Sequence, residues 1–310
     1  MAVVLLTAAV TAPAFEFVSL GTGAITGLYY PTGRAICSLA NHEDAGGAVR
    51  CSVEPTSGLV YNVDHLATGD LDFALIQSDV QFDAYTGRGP WAARPMPELR
   101  SVFTVFTEAV AIVARADLDV TGLDSLKGMR LSVGNPGSGA RATWEKIEAA
   151  LGWKREDLRL RPACARRRAS MRCAMTRSTH SCCCRATLRL LWTRRAAGCL
   201  IRLFGVEGPA IDQLVAASPY YRHTVVPASA YGFGADIKTF GSAATLVTST
   251  HVADAVVHAI AKAVLGHLDE FGALTPTMVG MTPAEMIHDS LTAPLHPGAE
   301  RAYRELGLMR

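Results

Sequence analysis

The chain has 310 residues, 49% of them hydrophobic and 19% charged, which excludes a disordered protein. There is apolar material for two cores, so two lobes of about 150 residues each are expected. The net charge of +2 hides a division: residues 161–203 carry eleven Arg, no Lys and no acidic residue, and the remainder carries −9, so neither nucleic acid nor an anionic membrane is a natural partner of the main body.

Met1 to Ala14 is almost wholly apolar and uncharged. It is too short to span a bilayer, which takes about 20 residues. Ala12-Pro13-Ala14 has the small-x-small pattern of a signal-peptidase site, so the segment reads as the remnant of an export signal; a buried N-terminal strand is the alternative. Phe15 to Leu20 reads as a strand running into the turn Gly21-Thr22-Gly23-Ala24-Ile25-Thr26-Gly27 and a helix from Tyr29 or Tyr30 to about Ala40. Such a turn points free N–H groups and a positive dipole end at whatever lies above it. The glycine spacing is not that of a dinucleotide site.

Val49 to Val53 is the second expected strand, ending in Glu54-Pro55-Thr56-Ser57-Gly58, with a helix from Leu59 to about Thr68. Phe73 to Ile76 is a buried strand that ends in Gln77-Ser78-Asp79 and leads into a helix through Tyr85. Three successive strand ends thus present small polar residues, at the edge where open α/β sheets bind ligands. Outside the basic segment only Cys37 and Cys51 remain. An even count in an exported chain points to a disulfide, with two reduced buried thiols as the alternative.

Leu99–Phe106 and Ala109–Arg115 are further strand candidates, followed by a capped turn at Leu123 and a strand from Met129 to Val133. Asn135-Pro136-Gly137-Ser138-Gly139-Ala140-Arg141 is a second Gly/Ser turn, opening a helix expected over Thr143–Leu151. Two such turns on two lobes suggest a small anion held between them; taken singly, each is an ordinary strand–helix turn. After the basic segment the pattern resumes at Val206. One long amphipathic helix is expected over Asp254–Phe271, another from Pro283 to Ser290 with Thr282 as N-cap, and a last one over Gly298–Leu306.

Several blocks together resemble the TAXI group of solute receptors of tripartite ATP-independent periplasmic (TRAP) transporters. They are Gly21-Thr22-Gly23 with Gly27 to Gly33, Arg50 to Gly58 with Val60-Tyr61-Asn62, Gly69 to Asp79, Pro136 to Gly139, and Leu295 to Ala299. The resemblance implies a type II periplasmic-binding-protein fold. Two α/β lobes, residues 15–107 plus 231–310 and residues 108–230, would be joined by crossing hinge strands and close on a glutamate-like amino acid or other small carboxylate. It implies a periplasmic receptor without cofactor that passes its ligand to a TRAP membrane permease. A periplasmic sensing module that binds the same solute is the alternative. A carboxylate suits helix N-termini, hydroxyls and a guanidinium. The candidate ligand residues are therefore Thr22, Gly23, Tyr29, Tyr30, Thr56, Ser57, Gln77 and Ser78 on one lobe, and Ser138, Gly139 and Arg141 on the other. Arg141 either forks a carboxylate or lies solvated on the helix. Tyr231, where the chain returns to the first lobe, either stacks on the ligand or packs as core. No enzyme is expected: the histidines are scattered and none pairs with a Ser or Cys in a nucleophile motif, while His296 reads as a structural cap.

The basic segment holds six of the eight cysteines, three of them adjacent at Cys182-Cys183-Cys184. A zinc site would need paired Cys spaced two to four apart, and a nucleic-acid segment would carry Lys, Gly or aromatic residues. The resemblance requires a buried strand and two helices here instead. Two compensating frame shifts, near Leu160 and Leu203, are the expected origin of the mismatch; a natural disordered insert is the alternative. Codons for Met171 to Arg195, read from the third base with synonyms chosen freely, can spell ALCDDEIDALVLLPGHPSALVDAA, with Val-Leu-Leu over the cysteine run. If the protein carries the segment as written, the unpaired Arg should keep it outside the sheet or disordered, and lobe II should lack a core strand.

Overall fold

A computed structural model describes residues 15–42, 49–115, 118–161, 181–184, 201–228, 234–275 and 281–310. The signal-like segment, Tyr231 and most of the basic segment lie outside the described residues.

The first lobe follows the period expected from its sequence. Strand β1 (Glu16–Gly21) leads to α1 (Tyr29–Ala40), β2 (Val49–Glu54) to α2 (Leu59–Thr68), and β3 (Phe73–Gln77) to α3 (Ser78–Thr86). All five residues of β3 are buried, as in a strand covered on both faces. The chain then crosses the molecule in β4 (Leu99–Ala109) and, after Val110, β5 (Ala111–Arg115). The second lobe contains β6 (Arg130–Ser132), α4 (Gly139–Ala150), β7 (Arg159–Arg161), β8 (Ser181–Cys184), β9 (Ile201–Gly205) and α5 (Pro209–Ala216). Strands β10 (Arg222–Val226) and β11 (Ile237–Ser249) return to the first lobe, which is completed by α6 (Asp254–Leu265), α7 (Leu268–Leu274), α8 (Pro283–His288) and α9 (Pro297–Glu305).

Two sheets result. One runs β10-β11-β3-β1-β2, with β4 on the other edge of β11; the second runs β7-β6-β8-β5-β9. β1 is parallel to β2 and β3, and β11 is antiparallel to β3 and β4. The lobes meet where the crossing strands crowd. Thr239 Oγ1 donates to Val110 O (2.5 Å) and accepts from Val206 N (3.1 Å), and a side chain at Gly205 would collide with the carbonyl of Lys238. Each lobe has its own core: Leu20, Phe73, Leu75, Ile76 and Phe103 belong to one, and Leu131, Trp144, Ile147 and Ile211 to the other.

Three expectations need correction. Helix α4 begins four residues earlier than Thr143, because Ser138 Oγ accepts the Arg141 N–H and caps the first turn. The helix expected over Asp254–Phe271 is two helices. Gly266 ends α6, and His267, at φ −132° and ψ 46°, leaves helical geometry before α7 begins. The sequence period continues through the break because both pieces face the same core. Most consequentially, the basic segment is not wholly outside the sheet. Ser181–Cys184 forms β8 in its middle, parallel to β6 (Leu131 opposite Cys182) and antiparallel to β5 (Val113 opposite Cys183). A four-residue stretch without Arg can enter a sheet whatever the charge of its flanks.

Cys37 on α1 and Cys51 on β2 form a disulfide, with 14 residues of sequence separation. In the chain-entropy model, closing such a loop contributes about 3 kcal/mol. Urea unfolding with and without reductant should show that difference, and identical midpoints would mean that the bond adds no stability. Thr282 and Glu285 form a reciprocal capping box, and His296 caps α9 by accepting the Gly298 N–H while its other ring nitrogen faces Val252 O. His296 is a structural residue, as its sequence position suggests.

Candidate ligand-binding site

The strand-end turns of the first lobe lie against one another, and those after β2 and β3 lie against the glycine turn of the second. Thr56 N and Oγ1 donate to the carbonyls of Gly23 (3.3 Å) and Thr22 (3.2 Å). Asn62 Nδ2 bridges Thr22 O (2.8 Å) and Leu75 O (3.0 Å) from below. Across the gap, Val60 N donates to Gly137 O (3.4 Å). Gly58, at φ +137°, is a conformation that favours glycine, and a Cβ there would stand 3.0 Å from Gly137 O. At Gly139 a Cβ would collide with Gln77 Oε1 and come within 2.9 Å of Leu59. The N-terminus of α4 therefore rests directly on the carboxyl end of β3. Its first amides, at Gly139 and Ala140, have no carbonyl one turn back within the helix.

The candidate residues divide by what already engages them. The Thr22 hydroxyl donates to Glu54 O (2.8 Å), tying the ends of β1 and β2 together. Ser78 Oγ donates to Tyr220 O (3.1 Å) and accepts from Ala243 N (3.0 Å), a tie between the lobes. Ser138 is the cap of α4, and Arg141 Nε pairs with Glu145 on the same helix (2.6 Å). Gly23, Thr56 and Tyr30 are half-buried at the lip, and Ser57 is exposed there. Tyr29 and Gln77 are buried and converge on a residue that sequence reading passed over, Glu108.

Glu108 lies at the end of β4 and is 6% exposed. Tyr29 Oη (3.2 Å) and Gln77 Nε2 (2.5 Å) both donate to its Oε2. Burial pushes its carboxyl up to about 7, against the lowering effect of those two donors; the carboxylate of Asp79 raises it further. Burial likewise holds the Tyr29 phenol well above its ordinary value, and Glu108 adds to the effect. Gln77 Oε1 is buried without a hydrogen-bond partner. The strand expected over Leu99–Phe106 stops short of Glu108, which then falls in a connection. A single carboxylate between two apolar runs, Val102–Phe106 and Ala109–Ala114, was the signal available.

Beside this cluster a second group fastens the lobes. Lys146 of α4 pairs with Asp83 (2.8 Å) and Asp79 (3.4 Å) of α3 and lies over the Tyr220 ring (4.5 Å), while Tyr221 Oη donates to Asp79 (2.8 Å). Burial opposes the charge of Lys146, but Asp79 and Asp83 outweigh it and raise its pKa. Among the described residues no group of three His, Cys, Asp or Glu side chains could hold a metal ion, and no helix is long and apolar enough to cross a membrane.

The model of the NMT1-like family matches residues 20–307, and the chain belongs to that family. Among solved structures it is similar to a protein from Bordetella bronchiseptica RB50, at 14% identity and TM-score 0.53 over 94% of this chain and 98% of that one. It is also similar to the periplasmic sulfonate-binding protein SsuA from Methylobacillus flagellatus KT, at 10% identity and TM-score 0.53 over 95% and 96%. A third likeness is to a structure described for glutathione import via GshT and the cystine ABC importer TcyBC of Streptococcus mutans, at 8% identity and TM-score 0.54 over 89% and 99%. At these identities the likeness is one of fold, and the fold is the two-lobed periplasmic-binding-protein fold.

Proposed function

We propose that this member of the NMT1-like family is an extracytoplasmic solute receptor, not an enzyme. It takes a small carboxylate or amino acid between its lobes and delivers it to a membrane permease of the TRAP type. The observation that carries the reading is the opposition of the glycine turns. The turn at residues 135–139 stands against the one at 55–58 and the end of β3, and the turn at 22–28 packs on 55–58, so that amides at the start of α4 adjoin the polar ends of β2 and β3. Amides and hydroxyls on opposed helix starts favour a small anion and give no group that would attack it. The TRAP permease, and glutamate-like ligands as the class, come from the sequence resemblance.

The basic segment bears on the same proposal. The family match, residues 20–307, begins before it and ends after it, and β8 occupies the middle of the second sheet. In the alternative reading frame the cysteine run becomes Val-Leu-Leu, the composition a central strand needs. We take residues 161–203 to be a frame-shifted stretch that weakens ligand closure. Calorimetry with a panel of dicarboxylates and amino acids, on the full chain and on the protein with the frame restored, tests both parts. Tight binding after restoration and weak or absent binding before it is expected. No binding by the restored protein would end the receptor reading; equal affinities would end the account of the segment.

A further inference from the structure

We propose that Glu108 is the residue that selects the ligand's head group: it receives an ammonium, so that the junction takes α-amino acids in preference to dicarboxylates without an amine. This rests on the receptor reading and concerns the same junction. The geometry supplies a buried carboxylate beside a buried amide oxygen that lacks a donor. Tyr29 and Gln77 both donate to Oε2 of Glu108. Gln77, 4% exposed, has Oε1 buried and unpartnered, directed at the first residue of α4. A buried acceptor without a donor is unfavourable, and an ammonium offers three donors to a carboxylate and an amide oxygen together. The α4 amides lie immediately beyond Gln77, where the ligand's own carboxylate would stand. An α-amino acid carries these two groups on one carbon, which suits so short a span.

The proton on Glu108 gives the inference a sign. With its pKa at about 7, Glu108 is mostly neutral at pH 6 and mostly ionised at pH 8. An ammonium requires the ionised form, so affinity for an amino acid rises with pH across that range, about tenfold from 6 to 8. A carboxylate at the same place is repelled by the ionised form, so a plain dicarboxylate weakens over the same interval. The groups facing Glu108 do not reverse this. Tyr29 of α1 and Tyr221, which precedes β10, are held neutral by burial, Asp79 of α3 is paired with Lys146 of α4, and β11 brings Ser242 opposite.

The test is calorimetry of the frame-restored protein with L-glutamate and with glutarate, its counterpart without the amine, at pH 6, 7 and 8. The expected result is opposite slopes: glutamate tightening about tenfold and glutarate weakening. In Glu108→Gln both slopes should flatten and the two ligands converge to within about threefold; the wild-type slopes decide the matter alone if that variant fails to fold. Glutarate binding as tightly as glutamate at pH 8, or parallel slopes, overturns the inference and leaves the receptor intact. No binding of either at any pH removes the carboxylate reading, and this inference with it.

Discussion

Gly139→Val should hold the two lobes apart. The new side chain would occupy the position of Gln77 Oε1 and press on Leu59. Gln77 is buried and fixed to Glu108, so it can yield only by giving up that bond; otherwise the first turn of α4 must lift off β3. The second outcome also strains the contacts between Lys146 and the carboxylates Asp79 and Asp83. The radius of gyration in solution should increase, and affinity for any ligand gripped at this junction should fall by about a hundredfold, since closure is what completes such a site. Both lobes should keep their cores, because Gly139 belongs to neither. An unchanged scattering profile with unchanged affinity would show that α4 does not bear on β3 in solution.

Trp144→Ala should produce the largest loss of stability. Trp144 is fully buried in the second core, with its ring edge toward Trp153 at 6.3 Å between centroids. Its removal leaves a cavity in a small core, which costs about 3–5 kcal/mol. The first lobe has a separate core built on Phe73, Phe103 and Phe271. Urea unfolding should therefore split into two transitions, with the second lobe melting first. A single transition shifted by less than about 1 kcal/mol would mean that Trp144 does not organise that core. Trp144 Nε1 is buried without a partner, so Trp144→Phe should cost much less than the alanine change.

How far the sequence could be read depended on whether the relevant interaction was local. Strands such as Phe73–Gln77 and helices such as Leu59–Thr68 are announced by a run or a period a few residues long, and they stand where the sequence places them. The capping box at Thr282 and the cap at His296 are equally local, since side chain and partner lie two or three residues apart. The turns at Thr22, Thr56 and Gly139 could be recognised as turns from their own composition. Their opposition could not, because it depends on how two sheets dock through crossing strands that the chain enters about 85 residues after β1 begins and leaves in β11.

The roles of individual side chains were least accessible. Ser78 and Ser138 have the chemistry of ligand groups, yet one ties Tyr220 and Ala243 and the other caps a helix. Glu108 has the chemistry of a surface residue and is buried instead. Composition alone separated the acidic body from the arginine-rich stretch, because charge adds up without regard to folding. Composition also misjudged that stretch, since hydrogen-bond pairing with β5 and β6 admits the short run Ser181–Cys184 whatever its flanks carry. The local period of the chain determined which residues form strands and helices; only the docking of the two lobes decided that Tyr29, Gln77, Glu108 and Gly139 meet, because proximity between residues so far apart in sequence comes from packing and not from any local pattern.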